Sequence, residues 1–122
     1  MWLESRMAMI ANRFRAGPGA FGARDALKLA TRGGARCLGR DGELGVIAPG
    51  ANADLVIWPL SGVKYAGAVS DPIDAWLRCG PAAPSHVIVA GKSVVEQGEL
   101  VSSDLTELLR RHEHAARRLQ SC

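Results

Sequence analysis

The chain is poor in the residues from which reactive centres are built. Its three cysteines, Cys37, Cys79 and Cys122, are odd in number and widely spaced with no CxxC pair, which excludes a disulfide framework and a zinc knuckle. Aromatic residues make up only 5% of the 122 positions, and the 15 Lys and Arg are interleaved with 12 Asp and Glu. A nucleic-acid reader needs a clustered basic face with aromatic platforms, so the formal charge of +3 reads as a solvated surface and no nucleic-acid partner is expected. No apolar run approaches the roughly 18 residues that cross a bilayer. Glu4 interrupts the start of the chain where a secretory signal would carry an unbroken apolar stretch. The expected setting is reducing and cytoplasmic, without a membrane.

What is present is patterned. Leu3, Met7, Ile10 and Phe14 share one stripe of a helix that stops at Gly17-Pro18-Gly19, and Arg13 and Arg15 suit its negative end. Ala23 to Thr31 is rich in helix formers, Gly33-Gly34 is expected to interrupt it, and Ala35 to Leu38 forms a short further turn. From Leu44 the period changes. Leu44-Gly45-Val46-Ile47 and Asp54 to Trp58 read as extended segments around a Pro49-Gly50 turn, which places a composition boundary near Arg40.

Asp71-Pro72-Ile73-Asp74 starts a helix by local chemistry: Asp71 caps, Pro72 fits the first turn, and Asp74 meets its positive end. Ile73, Trp76 and Leu77 form its apolar face before Gly80-Pro81 ends it. Val87-Ile88-Val89 and Val94-Val95 flank Ala90-Gly91-Lys92, whose glycine can supply the positive φ of a tight hairpin, and Gln97-Gly98-Glu99 turns the chain again toward Leu100-Val101. Leu105, Leu108, Leu109, Ala115, Ala116 and Leu119 stripe a final helix capped by Ser103 or Asp104. This order is α+β with too few strands to close a sandwich or barrel unaided.

Three segments together carry a family resemblance. ALKLATRGGARCLGRDGELGVIAPGANADLVIW (26–58) resembles the stretch by which amidohydrolase-superfamily deaminases leave their barrel and enter a small β-sandwich, and HVIVAGKSVVEQGELV (86–101) resembles their closing hairpin. The intervening YAGAVSDPIDAWLRCGP (65–81) is similar to the branch of 8-oxoguanine deaminases and hydroxyatrazine ethylaminohydrolases. Ala51, Pro59 and Gly22 depart from the family pattern, the last weakening a helix cap by only about a few tenths of a kcal/mol.

The resemblance implies an α+β fragment: residues 1–40 as the last helices of a (β/α)₈ barrel, and residues 41–122 as the C-terminal strands of a composite β-sandwich with helices, the closing one included. A whole barrel takes about 250 residues. It also implies an enzyme in which a divalent metal, zinc or iron, lowers the pKa of a water that attacks a purine, pyrimidine or triazine ring. The implied ligands, an HxH pair, two further His and an Asp, precede the matched region. No catalytic, cofactor-binding or metal residue is therefore expected here.

The tempting residues have bland readings. His112 and His114 spell HxH, but two residues apart on a helix they diverge by roughly 200° and cannot share a metal. His86 opens a strand without a metal-binding neighbour, Cys79 packs as a small apolar residue, and Asp54 serves a turn. Gly33-Gly34 lacks a phosphate-loop frame and suits close helix packing; Ser5, Ser61, Ser70 and Ser93 lack a nucleophile-elbow context. Arg32 and Arg36 are exposed cations, or lie at a domain seam or a subunit interface.

The expectation is a C-terminal fragment of a deaminating amidohydrolase, silent by itself. Its partner would be the missing N-terminal barrel portion or a self-associating copy, and its whole relative would act on a small aminated heterocycle. The alternative is a non-catalytic structural or interaction module that pairs with a separate barrel chain.

Overall fold

A computed structural model describes residues 1–102 and 104–120. Helix α1 (Trp2–Ala16) ends at Gly17, whose φ of 94° takes the chain out of the helix while its N–H still donates to Arg13 O at 2.9 Å. Arg13 then turns its Nε to Phe21 O at 2.8 Å, tying the helix end to the following loop.

Helix α2 (Ala23–Lys28) begins with half of a capping box: the Gly22 N–H donates to Asp25 Oδ2 at 2.9 Å, and glycine has no side chain to return the bond. The expected interruption at Gly33-Gly34 is absent. A π-helical turn, Leu29–Gly33, carries the rod directly into α3 (Gly34–Cys37), with both glycines at helical φ near −60°. Glycine weakens a helix interior by about 1 kcal/mol but does not break it.

Strand β1 (Leu55–Ile57) is one residue shorter at each end than its sequence pattern. Helix α4 (Pro72–Arg78) follows the expected chemistry, with Asp71 Oδ1 accepting from Ile73 N and Asp74 N, each at 3.1 Å. Strands β2 (His86–Val89), β3 (Lys92–Glu96) and β4 (Glu99–Leu100) complete an antiparallel sheet in the order β1-β2-β3-β4. Its two tight turns place Ala90-Gly91 and Gln97-Gly98 at positive φ, the geometry that matches strand twist. Helix α5 (Leu105–Gln120) is capped by Asp104, whose Oδ1 accepts from Thr106 N and Glu107 N; Ser103 and Cys122 lie outside the described residues.

The core sits among the helices. α1, α2 and α4 pack on one another around Met9, Ala23, Ala26, Trp76 and Leu77, with Trp2, Phe21, Leu27, Trp58, Leu60 and Ile73 against them. The small Ala23 and Ala26 let the helices approach, and burying a side chain such as Leu77 stabilises by about 1.5–3 kcal/mol. No described residue of the sheet is buried, so the sheet lies outside this core.

A second expectation is corrected. Leu44 to Ile47 forms no strand: a lone bridge joins Asp41 and Leu44, and Ile47 is 91% exposed, because no described strand lies alongside to pair with it. Gly45 instead threads the segment past the π-helical turn at φ 70°, where an added Cβ would come within 2.6 Å of the Thr31 backbone. The inward face of α1 also differs from its most apolar stripe. Trp2, Ser5 and Met9 face the core, whereas Leu3, Met7 and Ile10 are exposed and Phe14 is 94% exposed.

Gly45→Ala is expected to destabilise the helical layer by about 1–3 kcal/mol, through backbone strain and collision together. Gly42→Ala separates the two causes, since it shares the positive φ but meets nothing within 4 Å. Thermal midpoints of the helical circular-dichroism signal should fall further for Gly45→Ala.

The Asp71 carboxyl is held below its ordinary 3.8, chiefly by the Asp74 N–H, with Arg24 and the Ile73 N–H adding to it. A lowered native pKa stabilises above the unfolded value and is lost as pH falls through the native one. Asp71→Ala should therefore lower the midpoint at neutral pH, and the gap from the parent should close on acidification below 3.8.

Candidate functional site

Among the described residues, the side chains that could do chemistry do not converge. His112 and His114 are exposed on opposite sides of α5. His86 is half-buried at the start of β2, with Nδ1 at 3.1 Å from Ser85 Oγ. Among the described residues no group of three or more His, Cys, Asp or Glu could hold a metal ion. A tetrahedral or five-coordinate centre needs at least three such donors, so the residues present do not fit the metal implied by the resemblance.

The remaining candidates serve the scaffold. Asp54 Oδ1 accepts from Ala90 N at 2.7 Å, pinning the β2–β3 turn to the residue before β1, while Gly91 N donates to Ala53 O. Ser5 is buried, with Oγ donating to Met1 O at 2.8 Å. Ser93 is half-buried with its Oγ at 3.4 Å from Val95 O, and Ser61 and Ser70 are exposed. Gly33 is tight against Leu29, where a Cβ would approach Cδ1 to 3.3 Å; Gly34 meets nothing within 4 Å, so close packing accounts only for the first.

Cys79 is half-buried at the end of α4, and Cys37 is exposed. Next to Cys79, the buried Tyr65 donates its Oη to Gly80 O at 2.9 Å, and burial, with a smaller contribution from Cys79, raises its pKa. Arg36 Nε lies 3.1 Å from Asp41 Oδ2 in an exposed pair, worth about 0–1 kcal/mol. Arg32 joins Lys28, Arg36, Phe21, Asp25 and Leu29 along a shallow cationic cleft of about 360 Å³.

One further cleft is apolar and was not singled out by motif. Leu27, Trp58, Leu60, Pro72, Ile73 and Trp76 line a cleft of about 170 Å³ on the outside of the core. Trp58 and Trp76 form its floor, their ring centroids 5.0 Å apart at 45°. The signal available beforehand was composition: all three tryptophans, Trp2 included, belong to this one cluster. The buried Trp76 Nε1 has no acceptor among the described residues, whereas Trp2 Nε1 donates to Trp76 O at 2.8 Å. Such a surface can bury apolar groups; it offers no nucleophile and no base.

The amidohydrolase family model matches residues 1–94. The chain is 39% identical over 116 residues to the 8-oxoguanine deaminase of Pseudomonas aeruginosa, covering 95% of this chain and 25% of that protein. It is 36% identical over 96 residues to the hydroxydechloroatrazine ethylaminohydrolase of Pseudomonas sp. strain ADP, covering 78% and 20%. An adenosine deaminase from Xanthomonas campestris, solved with bound zinc, superposes with a TM-score of 0.84 at 30% identity, covering 100% of this chain and 28% of that one. The chain thus spans about a quarter of the length of these relatives, and it belongs to the amidohydrolase family.

Proposed function

We propose that this chain is the C-terminal quarter of an amidohydrolase that hydrolyses a ring C–N bond of an aminated purine, pyrimidine or triazine. Residues 1–40 would be the last helices of its (β/α)₈ barrel, and residues 41–122 the C-terminal part of its composite β-sandwich. The names of the relatives support the reaction class, since each describes loss of an amine from a nitrogen heterocycle. The divalent metal, zinc or iron, would be held by the other three-quarters, because the donors here do not converge.

The observation that carries this reading is unburied surface. A folded monomer of 12.9 kDa exposes roughly 6,300 Å². This chain exposes 8939 Å². The excess includes the α1 stripe of Leu3, Met7, Ile10 and Phe14 and the open edge of β1, where Ile57 is 51% exposed. Exposed apolar side chains grouped on one helix face, beside an open strand edge, mark an interface, and the proposed occupant is the preceding barrel portion.

A chimera tests the proposal. Residues 1–122 replace the matched last quarter of the Pseudomonas aeruginosa 8-oxoguanine deaminase, and the product is expected to be soluble and to release ammonia from 8-oxoguanine. By itself the chain should aggregate or show weak order by size exclusion and circular dichroism, retain no stoichiometric zinc or iron, and release no ammonia. A compact, cooperatively folding chain that keeps a metal and deaminates a heterocycle would overturn the reading.

A further inference from the structure

We infer that α5 is a clasp whose leucine face seats on the first three-quarters of an amidohydrolase polypeptide, and not on its own quarter or on a second copy. At 100° per residue, Leu105, Leu108, Leu109, Ala115, Ala116 and Leu119 fall within an arc of about 120°. None of them is buried: Leu105, Leu108 and Leu109 are 46%, 49% and 52% exposed, and Leu119 is 79% exposed. Away from this arc, Glu107 holds Arg110 through two bonds of 2.7 Å, Glu113 lies 3.5 Å from Arg117, and Asp104 caps the first turn. The polar side and the cap are thus satisfied locally; Leu105 and Leu109 flank an open cleft of about 330 Å³ with Glu99 and Leu100 of β4, and the rest of the apolar face, Leu108, Ala115, Ala116 and Leu119, has no such neighbour among the described residues.

The identity of the occupant follows from length and geometry. The adenosine deaminase structure matches the whole of this chain, α5 included, and nearly three-quarters of that protein lies outside the match. A second copy fits poorly. A helix of 16 residues is about 24 Å long, and pairing two such faces falls short of the roughly 1,200 Å² that a stable specific interface buries. His112 also lies on the centre line of the arc, so an antiparallel self-pair would bury two imidazoles against each other. The seat is accordingly apolar and carries a hydrogen-bonding group opposite His112.

This inference rests on the proposed function, and the same chimera separates the two. Trypsin should cut the isolated chain rapidly after Arg110 and Arg111 and cut the chimera at those bonds about tenfold more slowly or less. Leu108→Asp with Leu109→Asp in the chimera should restore rapid cutting. A folded, active chimera cut as fast as the isolated chain, or a doubly substituted chimera that stays protected, would overturn the clasp and leave the proposed function standing. A discrete dimer of the isolated chain with α5 protected, seen by light scattering with proteolysis, would overturn it in favour of a second copy. An insoluble or inert chimera would count against the proposed function, and the clasp with it.

Discussion

One hydrogen bond between distant parts of the chain sets the orientation of the helical layer. Trp2 Nε1 donates to Trp76 O across 74 positions of sequence, and Trp58 stacks at a tilt on the Trp76 ring. Once the Trp2 indole reaches into α4, the residues three and seven positions later must also face inward, because they lie on the same side of α1. Those residues are Ser5 and Met9, and both are buried. The serine is tolerated because its hydroxyl has an acceptor in Met1 O, so burial leaves no unmet polar atom. The stripe of Leu3, Met7, Ile10 and Phe14 lies roughly 140° around the helix and is turned outward by the same constraint.

Local chemistry was legible in the sequence wherever it was self-contained. The Asp71 cap, the Asp104 cap, the Gly17 helix end and both hairpin turns depend on residues within a few positions of one another, and each forms where its residue types require. Features decided by contacts across the chain were not. Periodicity shows that α1 has an apolar stripe but not whether that stripe meets this chain or another surface. Leu44 to Ile47 has strand composition, yet a strand exists only beside a partner, and a lone bridge is all that forms. Gly33-Gly34 reads as a break because glycine is a poor helix former, while the helix on either side is held by the packing of Ala23, Ala26 and Ala35.

Strand residues two apart point the same way and helix residues two apart do not, so the neighbouring histidines of α5 could be set aside from spacing. The Trp58 and Trp76 cleft could not be found in that way. Its walls come from α2, the segment after β1 and the first turn of α4, which only the folded chain brings together.

The division between scaffold and chemistry has a physical basis. Hydrophobic residues make up 48% of the chain, yet the buried apolar set among the described residues is Met9, Tyr65, Trp76, Leu77 and four alanines. Alanine contributes little area, so most of the apolar surface encoded here is not used in this core. The unused surface is of two kinds: helix faces that need apolar cover, and a strand edge that needs backbone donors and acceptors. A barrel portion that supplies both helices and strands, as proposed, can meet both demands in one association. It would also bring metal donors, which form no cluster among the described residues here, so the surfaces that complete the fold and the groups that complete the reaction would arrive on the same polypeptide.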